Sequence, residues 1–167
     1  MPIQVSVIVT SYNRPDLLRL ALLSLQSQSF PPGEVVVADD GSRLDMLGPS
    51  RNILPGLGFP LRFVTQDDIG FRLAKARNNG ARAARGDFLV FTDQDIVFTR
   101  HYLRTFVENR REKEFLVSFP VRLDQAQTAR LTEDDIRNAN YGGLVTEAQK
   151  AAIRKQHRKD LFYRLLH

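Results

Sequence analysis

Two aspartates separated by one residue are the sharpest chemical signal in this sequence of 167 residues. Asp93 and Asp95 follow the apolar run Phe88–Phe91, which has the composition of a buried strand. Carboxylate oxygens are the ligands that Mg²⁺ and Mn²⁺ prefer, and residues two apart in an extended chain point to the same side. We therefore predict that both carboxylates bind one divalent cation where this strand ends.

A cation at that place can bridge two phosphate groups and neutralise the charge that builds up on a departing diphosphate. A nucleoside diphosphate then becomes a competent leaving group. Taken alone, an Asp-x-Asp pair is a weak signal, because two solvated loop aspartates occur more often than a metal site. The weight of the pair depends on the motifs that accompany it.

Two more polar clusters follow strand-like runs. Thr10–Arg14 comes after the β-branched run Val5–Val9, and Asp39–Ser42 comes after Glu34–Ala38. The alternative for the second cluster is a plain turn, because Asp, Gly and Ser are turn residues in any protein. Three polar clusters thus occupy the same place relative to a preceding strand.

Strand-like and helix-like segments alternate along the whole chain. Strands are predicted at residues 5–10, 34–38, 61–65, 88–91 and 115–119, and helices near 15–25, 72–85, 100–111 and 146–167. Gly86 is expected to close the second helix, and residues 43–60 are predicted as loop with at most one short helix. This alternation predicts an α/β sandwich with a mainly parallel sheet, in which ligands bind beyond the carboxyl ends of the strands.

The composition restricts the class of protein. With 43% hydrophobic and 26% charged residues, the chain is expected to fold as a globular protein. It has no cysteine, so a metal must use oxygen ligands or one of three histidines. The net charge of +5 favours anionic ligands. Nucleic acid is not an expected partner, because neither a recognition helix nor an aromatic platform is recognisable.

The two ends of the chain bear on location. Met1–Thr10 has no basic leader, and no stretch reaches the ~20 apolar residues that span a bilayer, so we expect a cytoplasmic protein. The last predicted helix carries basic residues and an apolar side formed by Leu161, Phe162, Leu165 and Leu166. Its apolar side either packs on its own domain, which is the commoner case, or contacts the inner face of a membrane.

Four motifs match the family 2 glycosyltransferases in order and spacing, and the sequence resembles that family over roughly residues 3 to 120. The motifs are Val5–Arg14, Glu34–Ser42, Ala76–Gly80 and Phe91–Asp95. The segment Gly70–Ala74 is similar to the subgroup that contains chondroitin-type polymerases and other bacterial polysaccharide enzymes.

The resemblance implies a GT-A-like (Rossmann-like) α/β/α sandwich that binds a nucleoside diphosphate sugar, with UDP as the expected nucleotide. The implied activity is metal-dependent hexosyl transfer, expected to proceed with inversion, to an acceptor hydroxyl of a glycan or glycoconjugate. Mn²⁺ or Mg²⁺ is the implied cofactor. Residues 1–120 are expected to form the donor-binding core, and 121–167 a helical extension or the start of an incomplete acceptor-side region.

The resemblance also implies roles for individual residues. Those that line the nucleotide site are Thr10, Tyr12, Asn13 or Arg14, Asp39, Asp40, Arg77, Asn78 and Asp93, and the cation is held by Asp93 and Asp95. Asp40, with or without Asp39, is implied to accept a hydrogen bond from the imide of uracil, while Tyr12 offers a face for stacking. Arg77 and Asn78 are implied to contact the diphosphate or the sugar. The alternative for them is a solvated basic helix face.

No general base is assigned from the sequence. Inverting members of the family use a later Asp or Glu, which must reach the acceptor oxygen. The acidic cluster Glu133–Asp135 follows Thr132 in a pattern typical of a helix N-terminal capping box. We therefore expect a truncated or reduced homologue, and two hypotheses stay open: a transferase, or a module that binds the nucleotide sugar without turnover.

Overall fold

The computed structural model describes residues 3–43 and 56–164, with side chains up to residue 155. The described strands are β1 (Val5–Ser11), β2 (Glu34–Asp39), β3 (Leu61–Thr65) and β4 (Phe88–Asp93). The described helices are α1 (Pro15–Gln26), α2 (Leu73–Ala83), α3 (Tyr102–Asn109), α4 (Gln125–Arg130), α5 (Glu133–Arg137), a 3₁₀ turn at Gly142–Leu144, and α6 (Glu147–Arg164). Most of the loop predicted at 43–60 lies outside the described residues.

The four described strands form one parallel sheet in the order β3-β2-β1-β4. Ser11 of β1 lies opposite Asp39 of β2. On the other side of β1, Thr10 lies opposite Asp93 of β4. The predicted α/β fold with a parallel sheet is therefore confirmed, and the polar ends of three strands meet at one edge.

The central strands are buried on both faces, as their nearly continuous apolar sequences predict. One face, which includes Val7 and Val37, packs against apolar residues of α1 and α3. The other face packs against α2, where Gly80 allows a close approach: a Cβ there would lie 2.5 Å from Cγ2 of Ile8. Ala76, one turn earlier on α2, is also buried. The helix that carries Arg77 is thereby fixed against the sheet.

Two predicted helix ends and one predicted strand differ from the structure. α2 ends at Ala83, so Gly86 does not close it; Gly86 instead lies against β1, where a Cβ would be 2.6 Å from the carbonyl oxygen of Gln4. Residues 115–119 form no strand, and Phe115 is 89% exposed. Their apolar alternation is typical of a strand, but a strand also needs a neighbour, and none of the described strands pairs with them. Helix α3 ends at Asn109 rather than Arg111.

The predicted capping box at α5 is confirmed. The Thr132 hydroxyl accepts from the Asp135 amide at 3.1 Å, and the Asp135 carboxylate accepts from the Thr132 amide at 3.1 Å. Arg19 of α1 forms a bidentate ion pair with Glu133: its Nε donates to Oε1 at 2.8 Å, and its Nη2 donates to Oε2 at 2.9 Å. The acidic cluster therefore anchors α5 to α1.

The C-terminal helix α6 begins at Glu147, close to the predicted start. None of the helices in the described part of the chain is long and apolar enough to cross a membrane. The four apolar residues that the sequence places on one side of this helix, 161, 162, 165 and 166, have no described side chains. Both interpretations of that side stay predictions.

A buried carboxylate ties together the opposite edge of the sheet, where the strands begin. Glu34 of β2 accepts from the Ser6 hydroxyl at 2.6 Å, from the Arg85 amide at 2.5 Å, and from the Arg62 guanidinium at 2.6 Å. Burial alone raises the pKa of the Glu34 carboxyl, but these hydrogen bonds together outweigh it and hold the pKa below its ordinary value of 4.5. Arg62 also donates to the Ala83 carbonyl at the end of α2.

Glu34→Gln is expected to lower the free energy of unfolding by about 2 kcal/mol, because a neutral amide cannot accept from all three donors. The folded carboxyl has a lowered pKa, so its contribution is complete above pH 4.5 and is lost as the pH falls through the folded pKa. The difference between wild type and variant should therefore shrink in acid. Urea unfolding at neutral and acidic pH measures it.

Glu133→Gln is the matched control, because the Glu133 side chain is 43% exposed and its ion pair with Arg19 lies at the surface. Its loss is expected to stay below about 1 kcal/mol. A loss at Glu34 no larger than the loss at Glu133 would contradict the proposed role of the buried network.

Candidate functional site

The edge formed by the carboxyl ends of the strands brings the predicted site residues together. Thr10 and Tyr12 come from β1 and the loop after it, Asp39 and Asp40 from the end of β2, and Asp93 from the end of β4. The Asp40 amide donates to the Ser11 carbonyl at 2.9 Å, which places Asp40 beside the residue that precedes Tyr12. The three sequence clusters are thus one site in space.

Asp93 is held by two donors from different elements. Its Oδ1 accepts from the Thr10 hydroxyl at 2.5 Å and from Arg77 of α2 at 2.7 Å. Half of the Asp93 side chain, 50%, is exposed. The Asp93 carboxylate is therefore oriented through its Oδ1 atom, while its exposed part is open to a ligand.

The geometric reason given for the Asp93 and Asp95 pair is wrong, because the chain does not stay extended. The strand ends at Asp93, and the next residues turn back with a hydrogen bond of 3.3 Å from the Ile96 amide to the Asp93 carbonyl. Asp95 is exposed and follows the end of β4 by two residues. Both aspartates stay at the site edge.

The donor set fits a hard divalent cation. The carboxylates of Asp93 and Asp95 offer oxygen ligands, and Mg²⁺ is usually held in proteins by one or two carboxylates together with substrate phosphates and water. Within the described residues, no three His, Asp or Glu side chains form a metal-binding group. A cation at Asp93 and Asp95 would therefore take part of its coordination from the ligand.

Asp39 serves the framework of the site. It is only 2% exposed, and its carboxylate accepts from the Gly41 amide at 3.1 Å, the Ser42 amide at 2.8 Å and the Thr65 hydroxyl at 2.8 Å. The turn predicted for these residues is present and is built by this side chain. Its contact with a nucleotide stays a prediction.

Asp40 fastens a loop formed by residues 66–72 at both of its ends. Its Oδ1 accepts from the Gln66 side chain at 2.5 Å, and its Oδ2 accepts from the Arg72 amide at 2.9 Å. Asn79 of α2 donates to Gln66 at 3.1 Å. The carboxylate predicted to contact the base is therefore also the anchor of this loop.

Gly41 gives the same loop room to pass. Its φ is +91°, a left-handed conformation that favours glycine, and a Cβ would lie 2.6 Å from the Asp68 backbone nitrogen. Asp68 in turn accepts from the Tyr12 hydroxyl at 3.1 Å. This hydrogen bond and the charge of Asp68 are the main causes that raise the pKa of Tyr12. Tyr12 itself is 43% exposed, so part of its ring faces solvent.

The remaining residues of the β1 exit have local partners. The Asn13 amide donates to the Ser42 hydroxyl at 2.8 Å, and its side chain accepts from the Arg43 amide at 3.0 Å. These bonds join the first two sequence clusters. Arg14 pairs with Asp16 at 3.2 Å on the surface. Between Asn13 and Arg14, the structure therefore gives Asn13 the framework role.

On α2, the structure distinguishes residues that the sequence treated alike. Asn78 is exposed, whereas Asn79 bonds to Gln66 within the site. The Nε atoms of Arg72 and Arg77 are buried and have no hydrogen-bond partner among the described residues. Such buried donors carry a cost in free energy, because no group in the described part of the chain accepts from them.

Four site residues were not predicted from the sequence: Gln66, Asp68, Asn79 and Gln94. Each acts through hydrogen bonds to residues far away in the chain. An Asn or Gln carries no periodicity or charge signal that would mark it, and Asp68 follows no strand-like run directly. The one available signal was the position of Gln94 between the two aspartates.

The fold and the site together define a parallel α/β domain whose strand-exit edge is suited to an anionic ligand. The family model for glycosyl transferase family 2 matches residues 6–161. The chain therefore belongs to glycosyl transferase family 2.

Two curated relatives illustrate the similarity. The sequence is 37% identical over 112 residues to a hyaluronan synthase of Pasteurella multocida, which covers 66% of this chain and 11% of that protein. It is 30% identical over 140 residues to a chondroitin synthase of Pasteurella multocida, covering 83% of this chain and 14% of that protein. The predicted similarity to chondroitin-type enzymes is confirmed. The chain spans far less than two thirds of the length of either relative.

Two solved structures share the fold. S. aureus TarS 1-349 in complex with UDP-GlcNAc has a TM-score of 0.52 and 30% identity, over 64% of this chain and 32% of that one. The mannosyltransferase PcManGT of Pyrobaculum calidifontis, in complex with GDP-Man and Mn²⁺, has a TM-score of 0.50 and 31% identity, over 59% and 29%. The expected GT-A fold is therefore confirmed.

Gly41→Ala is expected to displace the loop of residues 66–72, because the new Cβ would collide with the Asp68 backbone. We expect a loss of about 3 kcal/mol in the free energy of unfolding, of which the left-handed backbone accounts for about 1–2 kcal/mol. Denaturant unfolding measures the loss, and the NMR chemical shifts of the Tyr12 ring report the position of the loop.

Gly70→Ala separates the collision from the backbone cost. Gly70 has a similar φ of +82°, but a Cβ there would meet nothing within 4 Å. It should show only the backbone cost. Equal losses in the two variants would mean that the close approach at Gly41 does not matter.

Proposed function

We propose that this domain binds a nucleoside diphosphate sugar, with UDP as the nucleotide, and takes part in transferring the sugar to an acceptor hydroxyl. The observation that carries the proposal is the meeting of Tyr12, Asp40 and Asp93 at one edge of the sheet, with Arg77 beside Asp93. An aromatic face, a base-accepting carboxylate and a cation-binding carboxylate are the groups that such a donor requires. Family membership supports the same conclusion.

The site divides into a base half and a diphosphate half. Tyr12 and Asp40 form the base half: Tyr12 stacks on the pyrimidine, and Asp40 accepts from its imide. Asp40 is preferred to Asp39, because Asp39 already accepts four hydrogen bonds, with the Ser42 hydroxyl at 2.5 Å as the fourth. Thr10 supports the diphosphate half by orienting Asp93.

A divalent cation, Mn²⁺ or Mg²⁺, would be held by Asp93 and Asp95 in the diphosphate half. When bound, such a cation neutralises charge on the leaving diphosphate. Arg77 donates to Asp93 at 2.7 Å and brings a fixed positive charge to the same place. The Arg77 side chain is 38% exposed, so its guanidinium can also donate to a phosphate oxygen.

The donor and the acceptor are proposed from the relatives. TarS is described in complex with UDP-GlcNAc and PcManGT with GDP-Man, and the curated relatives are synthases of hyaluronan and chondroitin. We propose a UDP-linked hexosyl donor and a glycan or glycoconjugate acceptor. A cytoplasmic location, at the inner face of a membrane, would suit this use, with contact through the basic helix α6.

A second candidate function is a module that binds the donor without turnover. The specific observation in its favour is that two residues of the acidic cluster of α5 have structural roles. Glu133 pairs with Arg19, and Asp135 caps the helix. Neither is a free general base. Product formation with a candidate oligosaccharide acceptor separates the two functions, since UDP binding without product would favour the module.

Asp95→Ala is expected to abolish the strengthening of UDP binding by Mn²⁺, because one carboxylate cannot hold the cation as well as two. Calorimetric titration of UDP with and without Mn²⁺ measures this effect. Asp87→Ala is the matched control: Asp87 lies at the opposite edge, where it accepts from the Gln4 amide at 3.2 Å. A Mn²⁺ effect that survives in Asp95→Ala would count against the cation assignment.

Asp40→Ala is expected to weaken UDP binding at least about tenfold and pyrophosphate binding much less, because it removes a charged acceptor for the base. Gln66→Leu is the control, since it cuts the loop bond of 2.5 Å but keeps the carboxylate. Calorimetry with both ligands gives the comparison. Equal losses for UDP and pyrophosphate, or an equal effect of Gln66→Leu, would refute the role of Asp40 at the base.

A further inference from the structure

The side chain of Gln94, between the two aspartates, bonds to the chain leaving β1 from both sides of its amide group. Its Nε2 donates to the Tyr12 carbonyl at 3.1 Å. Its Oε1 accepts from the Tyr12 amide at 3.1 Å and from the Ser11 hydroxyl at 3.0 Å. One side chain thus satisfies both backbone groups of Tyr12.

These bonds replace a missing piece of the sheet. The backbone pairing of β1 with β4 ends at Thr10 and Asp93, with a last hydrogen bond of 3.0 Å from the Gln94 amide to the Thr10 carbonyl. Beyond this point the chain after Asp93 turns away, so its backbone cannot pair with Tyr12. The primary amide of Gln94 carries the donor and acceptor pair of a peptide group, and it takes the place of the next strand residue.

The consequence concerns the two halves of the site. Tyr12 belongs to the base half, and Asp93 and Asp95 belong to the diphosphate half. Gln94 is covalently part of the second half and is bonded to the backbone of the first. Its two bonds to the backbone N–H and C=O of one residue fix both distance and orientation, which a single hydrogen bond would not do.

We propose that Gln94 is a positioning residue that holds the base half and the diphosphate half of the donor site at a fixed separation. The assignment rests on the proposed function, since it needs a ligand with both a nucleoside and a diphosphate. A glutamine suits the position for its chemistry: Glu lacks the donor for the Tyr12 carbonyl, and Asn is one methylene shorter. A ligand with both parts gains from such preorganisation, whereas either part alone does not.

The test compares uridine, pyrophosphate and UDP, each titrated in the presence of Mn²⁺ into wild type and Gln94→Met. Methionine has about the length of glutamine but offers no strong hydrogen bond. Uridine and pyrophosphate should bind within about twofold of wild type, because each half of the site is intact, and UDP should bind about tenfold more weakly. Gln94→Asn keeps the amide but is one methylene shorter, and it should show the same pattern. It therefore provides the test if Gln94→Met folds poorly.

A direct readout needs no ligand. Exchange of the Tyr12 amide hydrogen, followed by NMR, should be faster in both variants than in wild type, because its acceptor has been removed or displaced. Exchange at the neighbouring paired strand residues should stay as in wild type. Unchanged exchange at Tyr12 would show that the hydrogen bonds from Gln94 to the Tyr12 backbone do not persist in solution, and it would overturn the assignment.

Gln28→Met is the matched control for a general loss of stability. Gln28 is buried and has three side-chain bonds of its own, to the Ser24 carbonyl, the Thr99 carbonyl and the Leu103 amide. It should lower the Tm without changing the ratio of UDP affinity to uridine affinity. A change in that ratio as large as the change in Gln94→Met would overturn the positioning role.

The remaining outcomes separate the assignment from the proposed function. If wild type binds UDP with Mn²⁺ but Gln94→Met binds it equally well, or loses uridine affinity as strongly as UDP affinity, the coupling is refuted and the donor site stands. If wild type binds none of the three ligands, the proposed function fails and the role of Gln94 fails with it.

Discussion

The parallel pairing of β1 with both of its neighbours is the constraint on which the site depends. Because all three strands run in the same direction, their carboxyl ends reach the same edge, and the register places Thr10 beside Asp93 and Ser11 beside Asp39. A reversed neighbour would send its polar end to the far side of the sheet. The chemistry of the site is therefore a consequence of strand direction and register.

The two edges of the sheet use carboxylates in different ways. At the edge where the strands begin, Glu34 is buried and its hydrogen bonds join β1, β3 and the segment after α2. At the opposite edge Asp93 is oriented on one oxygen and half exposed. The hydrogen bonds of Glu34 stabilise the fold, whereas the exposed part of Asp93 leaves a charge available to a ligand. Orphaned donors on Arg72 and Arg77 belong to this second edge.

The cluster of residues 39–42 shows how closely framework and function are joined. Asp39 builds the turn, Asp40 fastens the ends of the loop of residues 66–72, and Gly41 lets that loop pass. The loop then meets Tyr12 through Asp68. A residue with a predicted ligand contact, such as Asp40, thus also fixes the shape of the pocket. Substitution there changes the contact and its surroundings together.

The sequence by itself determined the strands that carry the site, the parallel α/β architecture and the family. Apolar runs that end in polar clusters are local patterns, and local patterns can be recognised from the sequence alone. The capping box at Thr132 is another example. Such patterns did not suffice for residues 115–119, because a strand needs a neighbour as well as alternation.

Only the tertiary structure decided which polar residue meets which. Asn79 rather than its neighbour Asn78 joins Gln66, and Gln94 takes the place of a strand partner for Tyr12. These choices depend on the direction in which α2 crosses the sheet and on the turn after Asp93. Hydrogen bonds between residues 13 and 82 positions apart leave no periodic trace in a sequence, so they become visible only when the chain is folded.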